Sequence, residues 1–286
     1  MRPAETASLE SHLKALVGER NPFSSPEALA AAGAYVESHF SACGLEVWRD
    51  PVSFEGKEYF NVFGRLEGAH PEEGLLIVGA HFDTVEGTPG ADDNASAVAA
   101  LLEIASCLKD TKPALTILFA GFTLEEYAFV GSEHLCKRLM QEDVPVAGMI
   151  SLEMLGFVNR TPHSQNYPHY VDPAKYPDTG DFIAVVGNEV SQAMTVSLVE
   201  SMKQAVPGLG VEFLVVPGDG AAFPEVQLSD HSPFWKGGHK AVMVTDTAFF
   251  RNPHYHMPSD TLEMLDLPFL RDVTEGVAAY LVSPQM

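Results

Sequence analysis

Residues 74–83 read Gly-Leu-Leu-Ile-Val-Gly-Ala-His-Phe-Asp, an apolar run from Gly74 to Ala80 that breaks directly into an imidazole and a carboxylate. A short run without polar alternation is the pattern of a strand buried on both faces. Ala114–Ala120 (ALTILFA) and Val146–Leu152 repeat the pattern, and residues 95–109 between the first two runs read as an apolar helix. Buried strands alternating with helices imply a mostly parallel sheet covered on both sides. Ligands of such sheets bind at the carboxyl ends of the strands. Working outward, a helix is expected at 25–43, with Ser25 as N-cap and Pro26 at the first helical position. Strands are expected at 45–53 and 58–66 around a Glu55–Gly56 turn, helices at 131–140, 191–204 and 266–282, and strands at 182–186, 211–216 and 241–245. The segment 159–181, with four Pro, three Tyr and two His, has no periodicity and is a candidate lid or pocket wall.

The chain has 286 residues, 46% of them apolar, which suffices for a substantial core. Its 17 basic and 39 acidic residues leave a formal charge of −22. That balance excludes a polyanion-binding surface, so no nucleic-acid partner is expected. No apolar run reaches the roughly 18 residues of a membrane helix. The first twenty residues lack the apolar core of a signal peptide, and the expectation is a cytoplasmic protein without a membrane partner. The three cysteines, Cys43, Cys107 and Cys136, are odd in number and widely spaced, so they read as small buried apolar groups. The two glycosylation-type sequons, at Asn94 and Asn159, are discounted.

The polar residues that follow the buried strands carry the chemistry. His81 and Asp83 share a side if the chain stays extended, and a carboxylate beside an imidazole can orient it as a metal ligand. Gly90-Ala91-Asp92-Asp93-Asn94 precedes the apolar helix and holds one carboxylate more than a helix cap needs. Glu125 and Glu126 follow the second run, and Glu153 follows the third between Leu152 and Met154. His254, Tyr255 and His256 stand near the end, in Asn252-Pro253-His254-Tyr255-His256-Met257-Pro258-Ser259-Asp260-Thr261. Mixed His and carboxylate donors without Cys suit zinc or another divalent first-row metal in a catalytic site. Five such donors with one spare Glu point to a two-metal hydrolytic centre.

The ordered set HFD, GADDN, LEEYAFVGSEH, SLEM, SDHSPF and RNPHYHMPSDT, spanning about 79–261, resembles metallopeptidase family 28, the co-catalytic di-zinc aminopeptidases. The resemblance implies a single catalytic domain over 1–286, folded as a three-layer α/β/α sandwich with a mixed, mostly parallel sheet. It implies two divalent metals, zinc by expectation, and a peptide substrate with a free N-terminus. His81 and Glu153 would hold one metal, Glu126 and His256 the other, and Asp93 would bridge them across a cis bond to Asn94. Many members carry Asp where this chain has Glu153. Glu125 would be the general base and Tyr255 would face the oxyanion. Asp83 would orient His81, and Asp230 and His231 would support the site or touch substrate. His256 is preferred to His254 because it stands just before the x-Pro-x-Asp-Thr stretch. Phe249, Phe250, Met154 and the tyrosines of 159–181 point to bulky apolar first residues. A glutaminyl cyclase, a carboxypeptidase or deacylase, and a binding module with a degenerate site are the alternatives.

Overall fold

The computed structural model describes residues 1–284. Its eight strands are β1 (Glu46–Phe54), β2 (Lys57–Leu66), β3 (Leu75–His81), β4 (Thr116–Phe122), β5 (Val146–Glu153), β6 (Phe182–Asn188), β7 (Gly210–Val216) and β8 (Ala241–Thr245). They form one sheet in the order β1-β2-β4-β3-β5-β8-β6-β7. The four central strands β4, β3, β5 and β8 run parallel, so all four end on one edge. The β1–β2 hairpin joins antiparallel through Glu55 and Gly56, both at positive φ, as a two-residue turn matched to strand twist requires. The sheet is thus mixed, as the sequence implies. The sequence did not reveal that β6 runs antiparallel to β8, which turns β6 and β7 against the four central strands.

Among the described residues seven α-helices flank the sheet: α1 (Thr6–Leu16), α2 (Pro26–Ala42), α3 (Ala97–Leu108), α4 (Val130–Gln141), α5 (Gln192–Ala205), α6 (Ser232–Lys236) and α7 (Leu267–Val282). The two faces are covered unequally. Ile183, Val185, Val242 and Val244 face a large core with α1, α2, α3, α5 and α7. Val186 and Met243, alternate residues of the same strands, face a smaller core to which α4 and the five-residue α6 contribute. Helix α3 is buried along its whole length, and its alanines fit that position. Its buried Glu103 takes two 2.9 Å hydrogen bonds from the Arg2 guanidinium.

Local departures from the sequence reading have physical causes. Helix α1 was not anticipated, although Leu9, Leu13 and Leu16 lie on one buried side of it. Helix α3 begins at Ala97 rather than 95 because Ala91–Ser96 form a wide turn, with a cis bond between Asp93 and Asn94. Ser25 precedes α2 as expected, but its hydroxyl accepts from the Asn21 N–H instead of capping the helix. No helix among the described residues is long and apolar enough to cross a membrane.

Gly131, at the start of α4, lets that helix meet the loop after β4. A Cβ there would lie 2.2 Å from the Thr123 carbonyl oxygen and 2.5 Å from Asn61 Oδ1. Asn61 ties the same loop together, donating to the Gly131 carbonyl at 2.9 Å and accepting from the Thr123 N–H at 3.1 Å. Gly131→Ala should destabilise the fold by about 2–3 kcal/mol, read as a lower urea midpoint at unchanged slope.

Candidate active site

The parallel strands deliver their polar ends to one place. His81, the last residue of β3 and 1% exposed, has Nε2 at 3.3 Å from Asp93 Oδ1, 3.5 Å from Glu153 Oε2 and 3.8 Å from Glu125 Oε2. His256 Nε2 lies 3.0 Å from Asp93 Oδ2 and 3.3 Å from Glu126 Oε2. The two oxygens of Asp93 therefore divide between the two imidazoles. His81, Asp93 and Glu153 form one compact set of donor atoms, and Asp93, Glu126 and His256 form another. His81, Glu125 and Glu126 make a third set of similar size, so distance alone does not divide the roles of the paired glutamates. His254 stays outside, with Nδ1 2.9 Å from Ser259 Oγ and its ring against Phe157. The Tyr255 ring stacks on His256 at 3.7 Å.

The electrostatics of this cluster show an uncompensated excess of negative charge. Burial raises the carboxyls of Glu125, Glu126 and Glu153, Glu126 to about 7, and their mutual repulsion adds to it for Glu125. Burial would lower the two histidines, but the surrounding carboxylates outweigh it. They lift His256 to about 10 and His81 well above its ordinary value. Asp93 goes the other way: burial opposes its charge, but the two histidines hold it well below the carboxylate range. Both ring nitrogens of His81 and Oε1 of Glu126 are buried without a hydrogen-bond partner. Orphaned donor atoms in an acidic, mixed His and carboxylate set fit divalent metal binding, and zinc suits these donors.

A second ring of carboxylates holds the first in place through main-chain N–H groups. Asp83 faces His81 Nδ1 at 3.5 Å and accepts from the N–H groups of Glu125 and Glu126 at 3.0 and 3.2 Å. Asp260 does the same for the N–H groups of Asp92 and Asp93, at 2.9 and 3.1 Å. Asp92 accepts from the Gly156 N–H, and Asn94 bonds both the Leu152 carbonyl and the Met154 N–H. Residues that read as helix-capping in sequence thus brace the end of β5 instead. Ser229 donates to Glu153 at 2.8 Å.

Asp230 is fully buried, and burial lifts it to about 7 within the field of His81 and Glu153. His231 turns out differently from the sequence expectation. Its Nε2 bonds the Val226 carbonyl at 2.8 Å and its ring packs edge-on against Trp235, both part of the smaller core or its supports. The motif SDHSPF therefore contributes Ser229 and Asp230 toward the site, and His231 to packing.

Sequence reasoning gave no role to Ser229, Asp260 or Arg20. Asp260 stood inside a quoted motif, but Arg20 carries no local signal. Its guanidinium is buried and bonds five main-chain carbonyls: Phe82, Leu16, Gly18, Pro89 and Gly90, at 2.5–3.0 Å. Burial lowers its pKa to about 10 against the pull of Asp83, Asp93, Asp260 and Glu126. It is a fixed cation behind the acidic cluster that also fastens the loop leading to Asp93.

A profile of peptidase family M28 matches residues 61–281. The uncharacterized Escherichia coli protein YfbL is 34% identical over 295 residues, covering 98% of this chain and 88% of that one. The chain belongs to peptidase family M28. It is a hydrolase of the zinc metallopeptidase class. The crystal structure of the Legionella pneumophila LapA aminopeptidase superposes with a TM-score of 0.76 at 18% identity, over 99% of this chain and 73% of that one. The Porphyromonas gingivalis glutaminyl cyclase gives 0.69 at 19% identity, over 97% and 98%. At these identities both likenesses establish the α/β/α fold, which the two activities share.

Arg20→Met should remove all five hydrogen bonds to main-chain carbonyls and destabilise the protein by roughly 3–5 kcal/mol, measurable by chemical unfolding. A pH dependence follows from His231, which burial pushes down to about 4 from 6.5. Between those values the unfolded chain binds the proton and the folded one does not. The stability is therefore complete above pH 6.5 and is lost as pH falls toward 4, by about 3 kcal/mol for this residue. His12, also lowered to about 4 by burial, acts in the same direction. In His231→Gln, the difference between urea midpoints at pH 7 and pH 4.5 should shrink.

Proposed function

We propose that this protein is a two-metal aminopeptidase that removes the first residue from peptides with a free N-terminus, and that its whole chain acts as one catalytic unit. The observation that carries the reading is Asp93, whose two oxygens face His81 and His256 separately, so that one carboxylate joins two donor sets. His81 and Glu153 would hold one zinc, Glu126 and His256 the other, and Asp93 would share both. Bound zinc supplies Lewis acidity and lowers the pKa of water.

The chain's own groups supply the rest. Glu125 is 6% exposed and faces the cluster without entering the pair of sets that Asp93 joins. Its carboxylate takes the proton of the attacking water and passes it to the departing amine. The Asp83 bonds to the Glu125 and Glu126 N–H groups fix the height of that carboxylate above the sheet edge. Tyr255, held flat on His256 and against Phe249, presents its hydroxyl toward the developing oxyanion. Burial and the nearby carboxylates push that phenol well above its ordinary pKa, so it stays a proton donor at neutral pH. Asp230 acts on His81 and Glu153 only through its field.

The zinc-loaded protein is to be offered a free-amine peptide, its N-acetylated twin and a Gln-headed peptide, with products read by mass spectrometry. The expected result is loss of the first residue from the free-amine peptides alone. A 17-dalton loss from the Gln-headed peptide without cleavage would make the protein a cyclase. Trimming from the carboxyl end or release of acetate would replace the substrate class. Glu125→Gln should keep its metal content while kcat falls by roughly 10²–10⁴, and near-normal turnover would remove Glu125 from the role of base.

A further inference from the structure

The unequal covering of the sheet leaves a cavity beside the metal-binding cluster. Over β8, β6 and β7 the smaller core gives way to loops, and the open part of the sheet face becomes a floor. One row of directly paired residues crosses it: Glu153 opposite Thr245, Thr245 opposite Ala184, Ala184 opposite Glu212. All four line the same cavity. The row starts at a residue of the catalytic cluster and ends at a second carboxylate three strand spacings away, about 14 Å between backbones. Thr245 and Ala184 are small, so the middle of the floor is low.

The walls are aromatic, and two glutamates stand among them. Tyr167 and Tyr176 from the 159–181 segment, with Phe249 and Phe250, stand around the floor. Tyr176 is fastened by its hydroxyl to the Phe213 carbonyl at 3.1 Å, and the Tyr167 hydroxyl donates to the Pro177 carbonyl at 2.5 Å. Glu212 and Glu225 both line the cavity, and Oε2 of Glu225 is buried with the Tyr170 hydroxyl as its neighbour. Among the described residues neither forms an ion pair, and no Lys or Arg lines this cavity. A carboxylate turned into a cavity without a cationic partner is suited to receive one. Aromatic walls suit either an apolar side chain or the stem and head of a cationic one.

We infer that this cavity selects peptides whose first residue is lysine or arginine, with the aliphatic stem lying over Ala184 and Thr245 between the aromatic walls and the cationic head reaching Glu212 and Glu225. This inference rests on the aminopeptidase reading. It replaces the sequence expectation of a bulky apolar first residue, which counted the aromatic residues but had no means of placing two glutamates among them. Lysine's four-carbon stem suits a floor of small residues that runs from Glu153 toward Glu212.

The test compares peptides headed by Lys, Arg, Leu and norleucine, the last being the uncharged isostere of the lysine stem, on the native protein and on Glu212→Gln, Glu225→Gln and the double variant. In parallel, calorimetry follows the binding of lysine hydroxamate and norleucine hydroxamate to the same zinc-loaded proteins. We expect kcat/KM for the Lys-headed peptide to exceed that for norleucine by roughly tenfold or more in the native protein, as one charge-assisted contact provides. The double variant should lose that preference while its norleucine rate holds, and hydroxamate affinities should follow the same order. Norleucine or Leu leading in the native protein, or equal losses for both heads in the double variant, would overturn the inference. If no peptide loses its first residue, the aminopeptidase reading fails, and the hydroxamate affinities still decide the pocket: a lysine preference that Glu212→Gln and Glu225→Gln reduce upholds it, and indifference to both substitutions refutes it.

Discussion

Asp93, Glu125, Glu126 and Glu153 are held almost out of water around two imidazoles, and much of the architecture serves to keep them there. Charges so placed repel one another and lose their hydration, and neither loss is recovered by the histidines alone. The structure answers with rigid supports. Asp83 and Asp260 each accept two main-chain N–H groups, which stiffen the loops that carry the cluster. Arg20 adds a buried positive charge whose three nitrogens each bond main-chain carbonyls, which hold it in place behind the carboxylates. What remains is a site whose negative charge and orphaned donor atoms match a divalent metal.

The parallel strands explain why the cluster can be assembled from residues far apart in the chain. Because β4, β3, β5 and β8 are adjacent and parallel, their carboxyl ends share one edge; β3, β4 and β5 place His81, Glu125, Glu126 and Glu153 there or just beyond, and the longer loops after β3 and β8 bring Asp93 and His256. The reversal at β6 has a different consequence. It carries the sheet onward as a floor past the cluster, without delivering another strand end to it. The thin covering on that side, by loops in place of a long helix, turns the floor into a pocket that begins at Glu153. The edge that gathers the cluster and the pocket beside it are thus two products of one sheet, separated by the direction in which its strands run.

Much of this was legible from the residues alone. Short apolar runs announced the central strands because burial on both faces leaves no room for polar alternation. His81, Asp93, Glu126, Glu153 and His256 were legible as a set because each follows such a strand or stands in a recognisable stretch, and the structure brings all five together. Of the two neighbouring histidines, His256 faces Asp93 and Glu126 while His254 is engaged by Ser259. His231 was the exception. Adjacency to Asp230 made it look like a site residue, whereas a one-residue step along the chain turned it toward Val226 and Trp235.

By itself the sequence determined the fold class, the central strands and the acidic, histidine-bearing character of the site, because these depend on local pattern and on residue type. Only the tertiary structure decided what supports that site and what lies beside it. Arg20 is more than sixty residues from most of the groups it stabilises, and its five carbonyl partners bear no side-chain signature. Glu212 looks in sequence like an ordinary charge on an edge strand, and it gains meaning only through the pairing that aligns it with Ala184, Thr245 and Glu153. Strand order and direction are set by long-range packing of whole faces, and no local stretch of this chain encodes them.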